Sequence, residues 1–160
     1  AARAGKPAST PNGVAEISAE LDGLGLPTAG LLMVDGSGLA RQNRATCALL
    51  LGTLDLARAP RFAAVAQGLA VAGQDGTLAT RLGATPLRGK LQAKTGSLTG
   101  VSGLAGFVNA QRPVRFALLL NGGFGESTGV VQRERMATAI GAYPDAPAAG
   151  DLVPAPTSTR

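Results

Sequence analysis

From Lys90 onward the apolar residues follow a period of two, and they keep it through three runs: Lys90–Thr95, Ser102–Asn109 and Val114–Leu120. Such alternation places successive side chains on opposite faces of a strand. The connectors, residues 96–101 and 110–113, carry glycine or proline. They are shorter than the crossover of about a dozen residues that parallel pairing demands. The three runs therefore predict an antiparallel meander. Three strands leave open edges and make a small sheet, so further strands are expected from polypeptide outside this chain.

Before Lys90 the period is helical. Thr10-Pro11 reads as a capping hydroxyl followed by a first-turn proline, and Val14, Ile17, Leu21 and Leu24 recur at helical spacing up to Gly25. Leu31–Val34 reads as a short strand entering the turn Asp35-Gly-Ser-Gly38. Thr46 is placed to cap a second helix to about Arg58, with Leu49, Leu50, Leu54 and Ala57 inward, and Pro60 ends it. A shorter helical piece, Phe62–Leu69, precedes a turn over Gly73–Thr77. The last helix is expected over about Glu126–Ile140, packing through Val130, Val131, Met136 and Ile140. The layout is α+β. Residues 1–13 read as a loose lead-in, 14–143 as the folded part, and 144–160 as a mobile tail rich in Pro and Ala.

A chain of 160 residues with 45% hydrophobic content is long enough to bury a core as one domain. No apolar run reaches the roughly 20 residues of a membrane-spanning helix. The net charge of +5 comes from scattered arginines, and an aromatic content of 3% leaves few stacking platforms, so nucleic acid is not an expected partner. Cys47 is the only cysteine and, within Thr46–Leu51, reads as a small core residue. Histidine is absent. That removes the Ser-His-Asp triad and every histidine metal site, leaving lysine as the candidate base of any hydrolase built here.

Lys94-Thr95-Gly96-Ser97 ends the first strand-like run. An ammonium between hydroxyls suits a carboxylate, the hydroxyls add donors, and a glycine lets a peptide backbone lie close. An extended peptide could pair with such a strand edge, and the Ser97 backbone N–H could face a developing oxyanion. Other motifs fail. Gly83–Leu91 comes close to a P-loop but has one residue too many, and Leu91 stands where Ser or Thr must hold magnesium. Gly122-Gly-Phe-Gly125 lacks the third glycine of a dinucleotide loop, and no Gly-x-Ser-x-Gly elbow occurs.

Four segments in order carry a resemblance. They are Val34-Asp-Gly-Ser-Gly-Leu39 with Arg41 and Asn43, then Gly73-Gln-Asp-Gly-Thr-Leu78, then Lys94 through Phe107, then Phe116 through Gly122. Together they resemble the penicillin-binding protein 4 type of D-alanyl-D-alanine carboxypeptidase/endopeptidase. The resemblance implies a β-lactamase/transpeptidase-like fold, an antiparallel sheet flanked by helices, of which only the C-terminal half is present in this chain. It implies that Lys94 orients the substrate and assists proton movement. Thr95, Gly96 and Ser97 are implied to bind it, through the terminal D-alanine carboxylate or that of a β-lactam. Asp35, Ser37 and Arg41 match a conspicuous segment but read as scaffold, with Ala40 replacing the usual serine. No cofactor or metal is implied.

The family's nucleophile motif Ser-x-x-Lys and its Ser-x-Asn motif occur at no serine of this chain. Both lie upstream of the matched region in the family. The Ala1-Ala-Arg3 start has neither an initiator Met nor a signal peptide, so a processed or truncated product is expected, completed by the N-terminal part of the same precursor as a second chain. The implied partners are peptidoglycan stem peptides and β-lactam antibiotics, and the implied location is extracytoplasmic, the periplasm or cell wall. Two rival readings are a non-enzymatic module gripping wall peptides or β-lactams, and a nucleotide-binding protein using the near-miss glycine loop.

Overall fold

The computed structural model describes residues 5–145. Most of the expected tail, from 146 onward, and the first four residues of the lead-in lie outside them. Helices α1 (Thr10–Gly23), α2 (Cys47–Leu56) and the single-turn α3 (Ala63–Gln67) come first. Strands β1 (Ala70–Val71), β2 (Leu91–Leu98), β3 (Val101–Val108) and β4 (Val114–Asn121) follow, and α4 (Glu126–Gly141) closes the chain. The sheet order is β1-β2-β3-β4, antiparallel throughout.

Register fixes the two faces. Leu91, Ala93, Thr95 and Ser97 of β2 align with Val108, Gly106, Leu104 and Ser102 of β3. Phe116 and Leu118 on β4 share that face, and α4 covers it. The main core lies there: Leu78, Leu82, Leu87, Leu91, Leu104 and Val108 are all buried. On the other face α2 lies over β4 and the adjoining part of β3, with Leu49 and Leu54 inward. Arg115 of β4 pairs with Asp55 of α2 across that contact. Gln92, Lys94 and Gly96 are on this second face, beyond the strands that α2 covers.

Several expectations are corrected. The cap of α1 is Ser9, whose hydroxyl accepts from the Asn12 N–H, one residue earlier than Thr10. At its far end the Leu26 N–H reaches Leu21 O and the Gly25 N–H reaches Asp22 O, with Gly25 at φ 69°, a paired closure that favours glycine. No residue of α1 is buried, so its apolar stripe is not covered by the described residues. Leu31–Val34 forms only one bridge, Leu32 to Arg44, because no neighbouring strand continues the pairing. Cys47, first in α2, is exposed rather than buried: the inward stripe of that helix begins at Leu49.

On α4, Val131 and Met136 face outward, and Gly129, Val130, Arg133 and Ala137 are the buried residues. Small residues decide this. A Cβ at Gly129 would stand 2.9 Å from the Ser102 Cβ, so the helix approaches β3 through its smallest side chains. The loop between Gly83 and Leu91 is pinned by buried Leu87 and Leu91, which makes it scaffold and not an open phosphate cradle.

Candidate functional site

Strand β2 pairs with β3 along its whole length but with β1 only at Gln92 and Ala93. Beyond Ala93 its outer edge carries no strand. Backbone groups of alternate residues point to alternate sides in an antiparallel ladder. The Ala72 N–H bonds Leu91 O on the β1 side, and the Asn109 N–H bonds Lys90 O on the β3 side. By that alternation, the backbone groups of Thr95 and Ser97 face the open edge. Lys94, Thr95, Gly96 and Ser97 therefore meet on one unpaired stretch of strand.

Lys94 is exposed, and its Nζ donates to the Thr95 carbonyl at 2.8 Å. The ammonium thus lies along the edge. The Thr95 hydroxyl donates to the Thr77 hydroxyl at 2.9 Å. Thr77 sits in a short turn of 3-10 helix, Gly76–Leu78, anchored by buried Leu78. Gly96 has no strained backbone angle, and a Cβ built there meets nothing within 4 Å. Gly106 is the contrast: a Cβ there would fall 2.0 Å from Gln92 O. Packing within this chain requires glycine at 106 and does not require it at 96. A strand glycine of the second kind marks a place where another backbone or a ligand comes close.

Beneath the strand lies a residue that sequence reasoning missed. Arg133 of α4 is 3% exposed, and its Nη1 lies 2.6 Å from Gly96 O and 2.9 Å from Ser97 Oγ. Gly103 O and Ser102 Oγ follow at 3.2 and 3.3 Å. Burial pushes the pKa of this guanidinium down, aided by the like charge of Arg81. Its sequence signal was a cation between Val130 and Ala137 on one helical stripe.

The segment read as scaffold behaves as such. The Asp35 carboxylate accepts from Asn43 Nδ2, Ser37 Oγ and the backbone N–H groups of Gly38 and Ala40. These bonds, the Asn43 amide first, hold its pKa down at about 2. Arg41 Nη1 donates to Thr99 O, tying this loop to the β2–β3 turn.

The arrangement is an open edge: the linings of four open surface depressions among the described residues leave out Lys94 to Ser97. Chemically, the edge offers an ammonium, two hydroxyls and an outward N–H to an anionic, extended ligand. Among the described residues no group of three His, Cys, Asp or Glu could hold a metal, and no helix is long and apolar enough to cross a membrane.

The chain is similar to known proteins over most of its length. The chain is 38% identical over 127 residues to a D-alanyl-D-alanine carboxypeptidase of Actinomadura sp. (strain R39), covering 75% of this chain and 24% of that protein. It is 36% identical over 126 residues to carboxypeptidase DacB of Mycolicibacterium smegmatis, covering 73% and 27%. The crystal structure of penicillin binding protein 4 (dacB) from Haemophilus influenzae superposes with a TM-score of 0.74 at 31% identity, over 84% of this chain and 32% of that one. A second structure of that protein, complexed with a β-lactam, superposes with a TM-score of 0.71 at 32% identity. The chain thus has the transpeptidase-like fold in part, and it spans about a quarter of the length of the curated relatives it matches. Residues 1–142 match the D-Ala-D-Ala carboxypeptidase 3 (S13) family, and the chain belongs to that family.

Proposed function

We propose that this chain is the C-terminal part of a serine-type D-Ala-D-Ala carboxypeptidase acting on peptidoglycan stem peptides outside the cytoplasmic membrane. Its open β2 edge binds the peptide. Thr95 and Ser97 hold the terminal carboxylate, Lys94 supplies charge and assists proton movement, and the Ser97 N–H stabilises the developing oxyanion. The nucleophilic serine, which forms an acyl intermediate that water hydrolyses, comes from the N-terminal part of the precursor. β-Lactams enter the same edge as mimics of the peptide.

The single observation that carries the reading is Gly96. It is a glycine within Lys94-Thr95-Gly96-Ser97 on an unpaired edge, and no described residue lies within 4 Å of a Cβ built there. Support for a completing polypeptide comes from β2 and β4, whose outer edges carry no strand, and from Leu32, Val34 and Leu39, which are 52%, 45% and 67% exposed along one segment.

Labelling the assembled enzyme with a fluorescent penicillin tests the reading. A covalent adduct is expected, and Lys94→Ala should slow its formation roughly a hundredfold or more, with the thermal midpoint unchanged. Reversible binding without an adduct would instead identify a non-enzymatic module. Unchanged acylation in Lys94→Ala would remove that residue from the site.

A further inference from the structure

Arg133 is an unusual tenant for its position. The stripe of α4 around it is Gly129, Val130 and Ala137, all small or apolar. Instead a guanidinium is buried there, and its Nε has no hydrogen-bond partner among the described residues. Leaving a buried N–H unpaired costs free energy. Replacing a whole buried ionic cluster by apolar residues is often neutral, but removing one member alone is costly, so what Arg133 does is read from the groups it contacts. The side chain ties α4 to β2 and β3, and its shortest contacts fall on β2 at the open edge.

Its contacts point to another role. Nη1 has two hydrogens, and its two shortest contacts are Gly96 O and Ser97 Oγ. Arginine only donates. Toward Arg133 the Ser97 hydroxyl can therefore act only as an acceptor, and its own proton is free to be donated elsewhere. The second contact fixes the carbonyl of the peptide unit whose N–H belongs to Ser97. One side chain thus contacts both the Ser97 hydroxyl and the peptide unit before it, and that peptide unit is held in addition by the pairing of Gly96 with Gly103. Thr95 is served differently, through Thr77.

We propose that Arg133 is a positioning residue, which holds the Ser97 hydroxyl as an obligate donor toward the carboxylate of the bound acyl compound. This rests on the carboxypeptidase reading above and adds to it a residue outside the Lys94–Ser97 motif that governs recognition of the negative charge. Loss of Arg133 should then be felt by a ligand with a free carboxylate far more than by the same ligand with that group esterified.

The experiment measures second-order acylation rates of the assembled enzyme with benzylpenicillin and with its methyl ester. Arg133→Met should slow acylation by the acid about 10- to 100-fold, the loss expected for one charge-assisted hydrogen-bond system. The ester rate should change less than about threefold. Arg133→Lys, which keeps a donor-only cation, should recover part of the acid rate. In a Ser97→Ala background, Arg133→Lys should no longer alter the acid-to-ester ratio, and this arm stands even if the Met variant folds poorly. Equal losses for acid and ester, no loss for either, or an undiminished effect in the Ser97→Ala background would each overturn the proposal. An unsubstituted enzyme that no penicillin acylates would instead overturn the activity itself, and the role of Arg133 with it.

Discussion

Two glycines of the sheet separate folding from function at the scale of single residues. Gly106 is demanded by the backbone of β2, so Gly106→Ala should destabilise the protein by about 3 kcal/mol, read from its denaturant midpoint. Gly96 lies open, so Gly96→Val should shift stability by no more than about 0.5 kcal/mol. The same change should slow penicillin acylation roughly a hundredfold by displacing the ligand from the edge. A Gly96→Val variant with full acylation would show that nothing approaches that face. Asp35 gives a second separation. Its pKa is depressed from 3.8 to about 2, so its contribution to stability is present above pH 3.8 and is lost as pH falls toward 2. In a pH series of unfolding midpoints, Asp35→Asn should flatten the slope in that window and leave acylation at neutral pH unchanged. The Lys-Thr-Gly-Ser stretch could be read from the sequence because its chemistry is contiguous. Arg133 could not, since it reaches Ser97 across 36 residues and a helical arginine ordinarily reads as solvated.

Among the elements, the meander was legible for a physical reason: short connectors holding Gly or Pro permit one pairing only. The β2–β3 turn shows the requirement locally, with Gly100 at φ 76° between strands that pair up to Leu98 and Val101. Strand β1 was not legible, because two residues have no period and become a strand only by pairing with Gln92 and Ala93. On α4, Val130 and Ile140 pack inward as their hydrophobicity suggested, but Val131 and Met136 do not. Close approach selected Gly129 and Ala137 for the interface and left Val131 and Met136 outside. Helix α2 followed its sequence signal more closely. The Thr46 hydroxyl accepts from the Leu49 N–H at 3.1 Å, and Leu49 and Leu54 are buried. Thr46→Ala should cost about 1 kcal/mol in chemical denaturation, and a neutral result would show that tertiary packing alone fixes the start of this helix.

At the scale of the whole molecule, the described residues leave one edge and part of one face of the sheet uncovered. Its sheet is covered by α4 on one face and by α2 on part of the other, and the uncovered part carries Lys94 and Gly96. The apolar residues without cover, Leu32, Val34 and Leu39 among them, need a partner surface more than they need solvent. A completing polypeptide that adds to the sheet and roofs the Lys94 edge would satisfy both demands. The measurement that tests this most directly is mass-spectrometric mapping of the penicillin adduct after proteolysis of the assembled enzyme. The account predicts the acyl mass on a serine-containing peptide whose sequence lies outside these 160 residues, with the peptides around Ser97 and Ser102 unmodified. An adduct on a serine of this chain would contradict it.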